Sequence, residues 1–148
     1  AASDVYKRQY LIRYPSEVTK ASYPVVFFFH GAGGNGQGWL SIRPEVENLI
    51  DQENFIGIFP DGFENRWNVG TETNADDVEF VTLIVNEFSS NELFNVDKIY
   101  AIGTSNGAGL ANKIGKETAI FKGIAPLSHN KLKRLELSFL PRQCQSFR

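Results

Sequence analysis

Five consecutive apolar residues, Val25-Val26-Phe27-Phe28-Phe29, run from Pro24 to His30-Gly31 without a polar interruption. Side chains alternate across a strand, so a strand with no polar position has both faces buried. The run is rich in β-branched and aromatic residues and too short for a core helix. A strand buried on both faces needs a layer of helices on each side, which is the architecture of an α/β sheet. A second run, Phe55 to Phe59, has the same character and is stopped by Pro60-Asp61-Gly62. Between the two, Trp39, Ile42, Val46, Leu49 and Ile50 are spaced as one face of a helix over Trp39 to Asp51, with Pro44 in its first turn.

The alternation continues downstream. Asn74 to Phe88 predicts a helix whose apolar stripe is Val78, Val81, Ile84, Val85 and Phe88. Asp76, Asp77 and Glu79 sit near its start, where the helix dipole favours acids, and the two aspartates read as caps rather than as an acid/base pair. Ile99 to Ile102 predicts a third buried strand, Asn106 to Lys116 a helix, and Phe121 to Leu127 a fourth strand interrupted by Pro126. Tyr10 to Arg13 is a short candidate strand. Strands joined by crossover helices form a mostly parallel sheet, with ligands beyond the carboxyl ends of the strands. Three loops meet that description: Gly31 to Gly38, Pro60 to Gly70, and Thr104 to Gly107.

The 148 residues are 42% hydrophobic and 22% charged, an ordinary globular composition for one domain. No apolar run reaches the roughly 18 residues of a membrane span, so no membrane partner is expected. A net charge of -2 gives no basic footprint for nucleic acid. That total hides an uneven distribution. Residues 10–128 hold 8 Lys and Arg against 15 Asp and Glu. The segment 1–9 matches, residue for residue, the translation of a widely used transposon sequencing adapter, and is read as a scar outside the native protein. The segment 129–148 carries Lys131, Lys133, Arg134, Arg142 and Arg148 against the single acid Glu136. Two readings of it stand side by side, a basic solvated tail and the product of a frameshift. Cys144, the only cysteine, lies there, so residues 10–128 have no thiol for a disulfide or a metal.

One loop carries chemistry in its spacing. Gly103-Thr104-Ser105-Asn106-Gly107 is Gly-x-Ser-x-Gly, set between a predicted strand and a predicted helix. A serine at such a turn takes a strained backbone, and glycines two residues either side let strand and helix pack closely. The turn lifts the hydroxyl of Ser105 above the sheet as a nucleophile, and the N–H of Asn106 at the helix N-terminus is placed to hold an oxyanion. The alternative is a tight turn of the same composition. An oxyanion hole needs a second N–H from another loop, and His30-Gly31-Ala32-Gly33-Gly34 supplies one, at Ala32 or next at Gly31. The general base of this architecture follows the nucleophile, so His30 is read as an orienting loop residue. Gly31, Gly33 and Gly36 also satisfy the Gly-x-Gly-x-x-Gly spacing of dinucleotide sites, but His30 before them and Pro44 after them argue against that use.

These residues resemble a known group. Tyr23-Pro24-Val25-Val26 leading to His30-Gly31-Ala32-Gly33-Gly34 is similar to the start of the polyhydroxybutyrate depolymerase and feruloyl esterase group of α/β-hydrolases. Pro60-Asp61-Gly62 with Trp67, Asn68 and Gly70 resembles its second loop, and Asp76-Asp77-Val78 with Phe80 its next helix. Gly103 to Ala108 resembles its nucleophile turn, and Phe121 through Pro126 the strand that follows. The resemblance implies an extracellular or periplasmic serine esterase with no metal and no organic cofactor. It implies small or polymeric ester substrates, either polyhydroxyalkanoates or feruloyl and acetyl esters on plant polysaccharide. For Trp67 and Asn68 it leaves two readings, lining of the substrate pocket or a packing tryptophan followed by an asparagine turn.

The order in this architecture is Ser, then Asp or Glu, then His. After Ser105 the chain has no Asp, only Glu117 and Glu136 as acids, and only His129 as histidine. Glu117 belongs to the helix after Ser105, and His129 precedes Glu136. The expectation is therefore an α/β-hydrolase domain truncated before its last strands, with the strand near Phe121 to Leu127 left as an aggregation-prone edge. A non-catalytic hydrolase-fold binding protein, or a serine peptidase or acyltransferase on the same fold, stands as the alternative. Assayed as this 148-residue chain, the protein is expected to show little or no p-nitrophenyl acetate turnover. Rapid turnover abolished by Ser105→Ala would overturn the expectation of truncation.

Overall fold

The apolar run at Val25 to Phe29 lies at the middle of the sheet. The computed structural model describes residues 8–127, the side chain of Glu53 excepted. Ser128, His129, Glu136 and Cys144, with the whole segment 129–148, lie outside the described residues, as do residues 1–7. Strand β2 (Tyr23–Phe29) is buried along its whole length. Val25, Phe27 and Phe29 join one core and Val26 and Phe28 the other, so the period of two assigns alternate residues to opposite faces.

Strands β3 (Ile56–Pro60) and β4 (Phe94–Thr104) flank β2, both parallel to it. Strand β5 (Gly123–Leu127) adds in parallel beyond β4, and β1 (Tyr10–Arg13) lies antiparallel on the outer side of β3. The order is β1-β3-β2-β4-β5. Helices α1 (Gly36–Ile42) and α2 (Glu45–Glu53) cover the Val26 and Phe28 face through Trp39, Leu40, Val46 and Ile50. Helices α3 (Asp77–Phe88) and α4 (Asn106–Glu117) cover the other through Phe80, Val81, Ile84, Leu110 and Ile114. Phe28 stacks on Phe59 at 4.7 Å and meets Trp39 edge-on at 5.4 Å. Each such aromatic contributes about 1.5–3 kcal/mol by leaving water.

The single helix expected over Trp39 to Asp51 is two helices. Arg43 has φ −132° and ψ 68°, outside the helical region, as the residue before a proline prefers. Pro44, expected inside the first turn, is instead the N-cap of α2. The break rotates the stripe: Trp39, Val46 and Ile50 are buried, while Ile42 is 76% exposed. Helix α1 also begins earlier than expected, at Gly36, because the side chain of Asn35 caps it by accepting from the Gly38 N–H at 2.8 Å. Helix α3 begins at Asp77 rather than Asn74, with Asp76 as its cap accepting from Glu79 N–H at 3.0 Å. Pro126 does not interrupt β5. It pairs opposite Gly103, and among the described residues β5 is at the sheet edge, where a missing N–H is tolerated. No helix among the described residues is long and apolar enough to cross a membrane.

Candidate active site

Strand β4 passes into α4 through one sharp turn. Ser105 stands at φ 51° and ψ −116°, a region non-glycine residues avoid at a cost of about 1–3 kcal/mol. The glycines on either side explain why the turn holds. A Cβ at Gly103 would lie 2.2 Å from the Gly107 carbonyl oxygen, and a Cβ at Gly107 would lie 2.2 Å from the carbonyl oxygen of Phe29. Both positions therefore exclude any side chain, and their close approach forces the reversal onto Ser105. The Ser105 N–H reaches the Leu127 carbonyl at 3.4 Å, which ties the turn to the end of β5.

Ser105 is exposed and opens onto a cavity of about 620 Å³. Most of the β2–α1 loop forms its wall, including Gly31 and Ala32, together with Trp39, Ile42 and Arg43 at α1. Gly31 lies against the turn, since a Cβ there would be 3.7 Å from the Ser105 Cβ. Gly34 N–H donates to the Gly31 carbonyl at 3.1 Å and Gly33, at φ 86°, donates to the Asn65 carbonyl at 2.7 Å, which fixes the loop's curl. The Ala32 N–H has no hydrogen-bond partner among the described residues. Asn106 is the first residue of α4, where an N–H has no acceptor within the helix. Ser105, Gly31 and Ala32 thus line one cavity, and Asn106 follows Ser105 as the first residue of α4.

Trp67 and Asn68 are not among the residues that line this cavity. Trp67 is fully buried, edge-on to Phe29 at 5.4 Å, and its indole N–H donates to the His30 carbonyl at 2.8 Å. Asn68 turns the chain: its side-chain amide donates to the Ala75 carbonyl at 3.0 Å. The aromatic ring packs into the core because the loop after β3 folds back over the ends of β2 and α4.

His30 is buried, and both ring nitrogens are engaged. Nε2 accepts from Gly62 N–H at 2.9 Å, so Nδ1 carries the proton and donates to the Gly31 carbonyl at 2.7 Å. Burial pushes the imidazole below its ordinary range, against the raising effect of the Gly31 carbonyl. The ring therefore holds the β2–α1 and β3–α3 loops together as a neutral group. Asp61 adds a second link, accepting from Gly36 N–H at 2.7 Å.

Asp77 was expected as a cap and is instead an ion-pair partner. It is buried, 2.6 Å from the Arg8 guanidinium, which also lies 3.8 Å over the Phe80 ring. Its other oxygen accepts from Asn68 N–H at 2.5 Å. Arg8 falls within the segment 1–9 set outside the fold by the sequence reading. Whatever that segment's origin, Arg8 takes part in the packing, because a buried carboxylate requires a cation. Asp77 was detectable in the sequence: it shares the stripe of Phe80, Val81, Ile84 and Phe88, a core position for an acid. Asp61, the Asn106 carboxamide and Trp39 gave no comparable signal.

The chain superimposes with a TM-score of 0.66 on an acetyl xylan esterase from Aspergillus awamori, 20% identical, over 80% of this chain and 47% of that one. For LpqC, a poly(3-hydroxybutyrate) depolymerase from Bordetella parapertussis, the TM-score is 0.63 at 18% identity, over 79% of this chain and 44% of that one. The chain has the α/β-hydrolase fold. In sequence it is similar to feruloyl esterase B of Piromyces equi, 29% identical over 136 residues, which cover 86% of this chain. The chain spans 25% of that relative's length. No protein-family model matches it. In the α/β-hydrolase frame, Ser105 stands at the carboxyl end of a central strand, where open α/β sheets bind ligands.

Two outcomes follow from this geometry. Gly107→Ala should be strongly destabilising in urea unfolding. Gly115→Ala on the same helix, whose Cβ would meet nothing closer than 3.5 Å, should instead stabilise by roughly 0.5–1 kcal/mol. Equal effects of the two would contradict the close approach at Gly107. Stability should also fall as pH drops below the unfolded histidine value of 6.5 toward the depressed folded value, because only the unfolded state takes up the proton there. Imidazole NMR at pH 7 should find His30 as the neutral Nδ1–H tautomer, and a charged ring would refute the assignment.

Proposed function

We propose that this chain carries the nucleophile and oxyanion elements of a serine carboxylic ester hydrolase. The observation that carries the reading is Ser105, held at φ 51° between β4 and α4 with its side chain on the cavity. This is the arrangement of a nucleophile elbow. The Ser105 hydroxyl attacks the ester carbonyl and its proton passes to a base. The alcohol leaves with a proton, and water then releases the acyl group from Ser105. The developing oxyanion is held by the N–H of Asn106 and the N–H of Ala32, with Gly31 giving the backbone room to approach.

The relatives support the substrate class. They include a feruloyl esterase, an acetyl xylan esterase and a poly(3-hydroxybutyrate) depolymerase, all carboxylic ester hydrolases. We assign feruloyl, acetyl or hydroxyalkanoate esters as the substrates on that basis. After Ser105 the sequence has no Asp, with Glu117 and Glu136 as its acids and His129 as its histidine.

The test is ester hydrolysis by the full-length enzyme from the parent gene, on p-nitrophenyl acetate, methyl ferulate and hydroxybutyrate oligomers. Ser105→Ala should lower kcat by a factor on the order of 10⁴ or more. Turnover that survives this substitution, or none on any of the esters, would refute the proposal.

A further inference from the structure

The two N–H groups assigned to the oxyanion follow different strands, and one partly buried joint connects them. The Asn106 carboxamide spends both ends on the backbone of Trp67: Oδ1 accepts from Trp67 N–H at 2.7 Å, and Nδ2 donates to the Trp67 carbonyl at 3.1 Å. Two antiparallel hydrogen bonds to one residue leave the first residue of α4 no freedom to rotate against it. The Trp67 indole N–H then donates to the His30 carbonyl at 2.8 Å. That carbonyl belongs to the peptide immediately before the one that carries the Ala32 N–H. Space at the joint is minimal, since a Cβ on Gly107 would lie 2.5 Å from the same His30 oxygen.

A tryptophan needed only for core volume would require its ring against Phe29 and nothing more. Here the indole N–H donates to the His30 carbonyl, one peptide before the Ala32 N–H, and both peptide groups of Trp67 pair with the carboxamide of Asn106, whose own backbone N–H is the other proposed donor. Hydrogen bonds removed in part or in full from water, as these are, are costly to break and hold their partners in one geometry. We infer that Trp67 and the Asn106 side chain are positioning residues that set the separation of the Ala32 and Asn106 N–H groups. This rests on the reading of Ser105 as nucleophile. Neither group touches the substrate; both act through the donors they hold. Oxyanion stabilisation depends on donors fixed before reaction, so a loosened joint weakens the transition state more than substrate binding.

The experiment uses the full-length enzyme with p-nitrophenyl acetate, counting folded active sites by titration. Trp67→Phe keeps a ring against Phe29 and removes the indole N–H. Asn106→Ala removes the carboxamide and keeps the backbone N–H. Each should lower kcat by about 10- to 100-fold while KM stays within about twofold. Because both act on one joint, the double variant should fall little further than the weaker single variant. If Trp67→Phe does not fold, Asn106→Ala alone decides, since it leaves the indole and its core contacts intact. A kcat within twofold of the parent in a folded variant, or losses that multiply in the double variant, would overturn the inference. Ser105→Ala, measured alongside, separates the two readings. Ser105-dependent turnover that ignores both substitutions refutes the joint alone, whereas turnover without Ser105 refutes the nucleophile as well.

Discussion

The approach of α4 to the ends of β2 and β4 is the constraint on which the rest of this structure depends. Gly107 meets the Phe29 carbonyl and Gly103 meets Gly107, both at distances that admit no Cβ. With strand and helix this close, the chain reverses within one residue, and Ser105 takes the positive φ that results. The same approach brings the His30 carbonyl beside the first turn of α4, where Trp67 bridges the gap. Strain at the serine is thus compensated by packing beneath it, where Phe29, Leu110 and Ala111 are fully buried.

Above that packing, the loops are held by polar groups rather than by apolar contact. His30 links Gly62 to Gly31, Asp61 links β3 to the start of α1, and Asp77 with Arg8 fastens the start of α3. Each is buried or close to buried, and each is satisfied by a partner more than twenty positions away in the sequence. Burying these groups costs free energy that only a complete set of partners offsets. The outcome is a single arrangement of loops around one cavity, with Ile42 and Trp39 supplying its apolar wall.

Much of this was legible because it is local. Alternation of side chains across a strand made Val25 to Phe29 a two-faced core strand before any contact was known. The Gly-x-Ser-x-Gly spacing located the turn because steric exclusion at the glycines is a property of neighbouring residues. Placement of Ala32 and Ser105 on one cavity was also foreseeable, since both loops leave the same end of adjacent strands. The split of the helix at Pro44 was less so, because a proline is compatible with a first turn as well as with a break. Which applies depends on where the apolar stripe of α1 must point. Trp67 carried two readings in sequence; in the fold its ring is fully buried and its indole N–H donates to the His30 carbonyl.

The sequence by itself determined the α/β order, the faces of β2 and the serine turn, because each follows from periodicity or from the size of a residue and its immediate neighbours. Only the tertiary structure decided that Asp77 is an ion-pair partner, that His30 is a neutral brace, and that Asn106 and Trp67 form one joint. Those roles depend on which polar atoms meet across the loops once the sheet has closed. A buried hydrogen-bond partner is selected by distance in space, and spacing along the chain does not encode it.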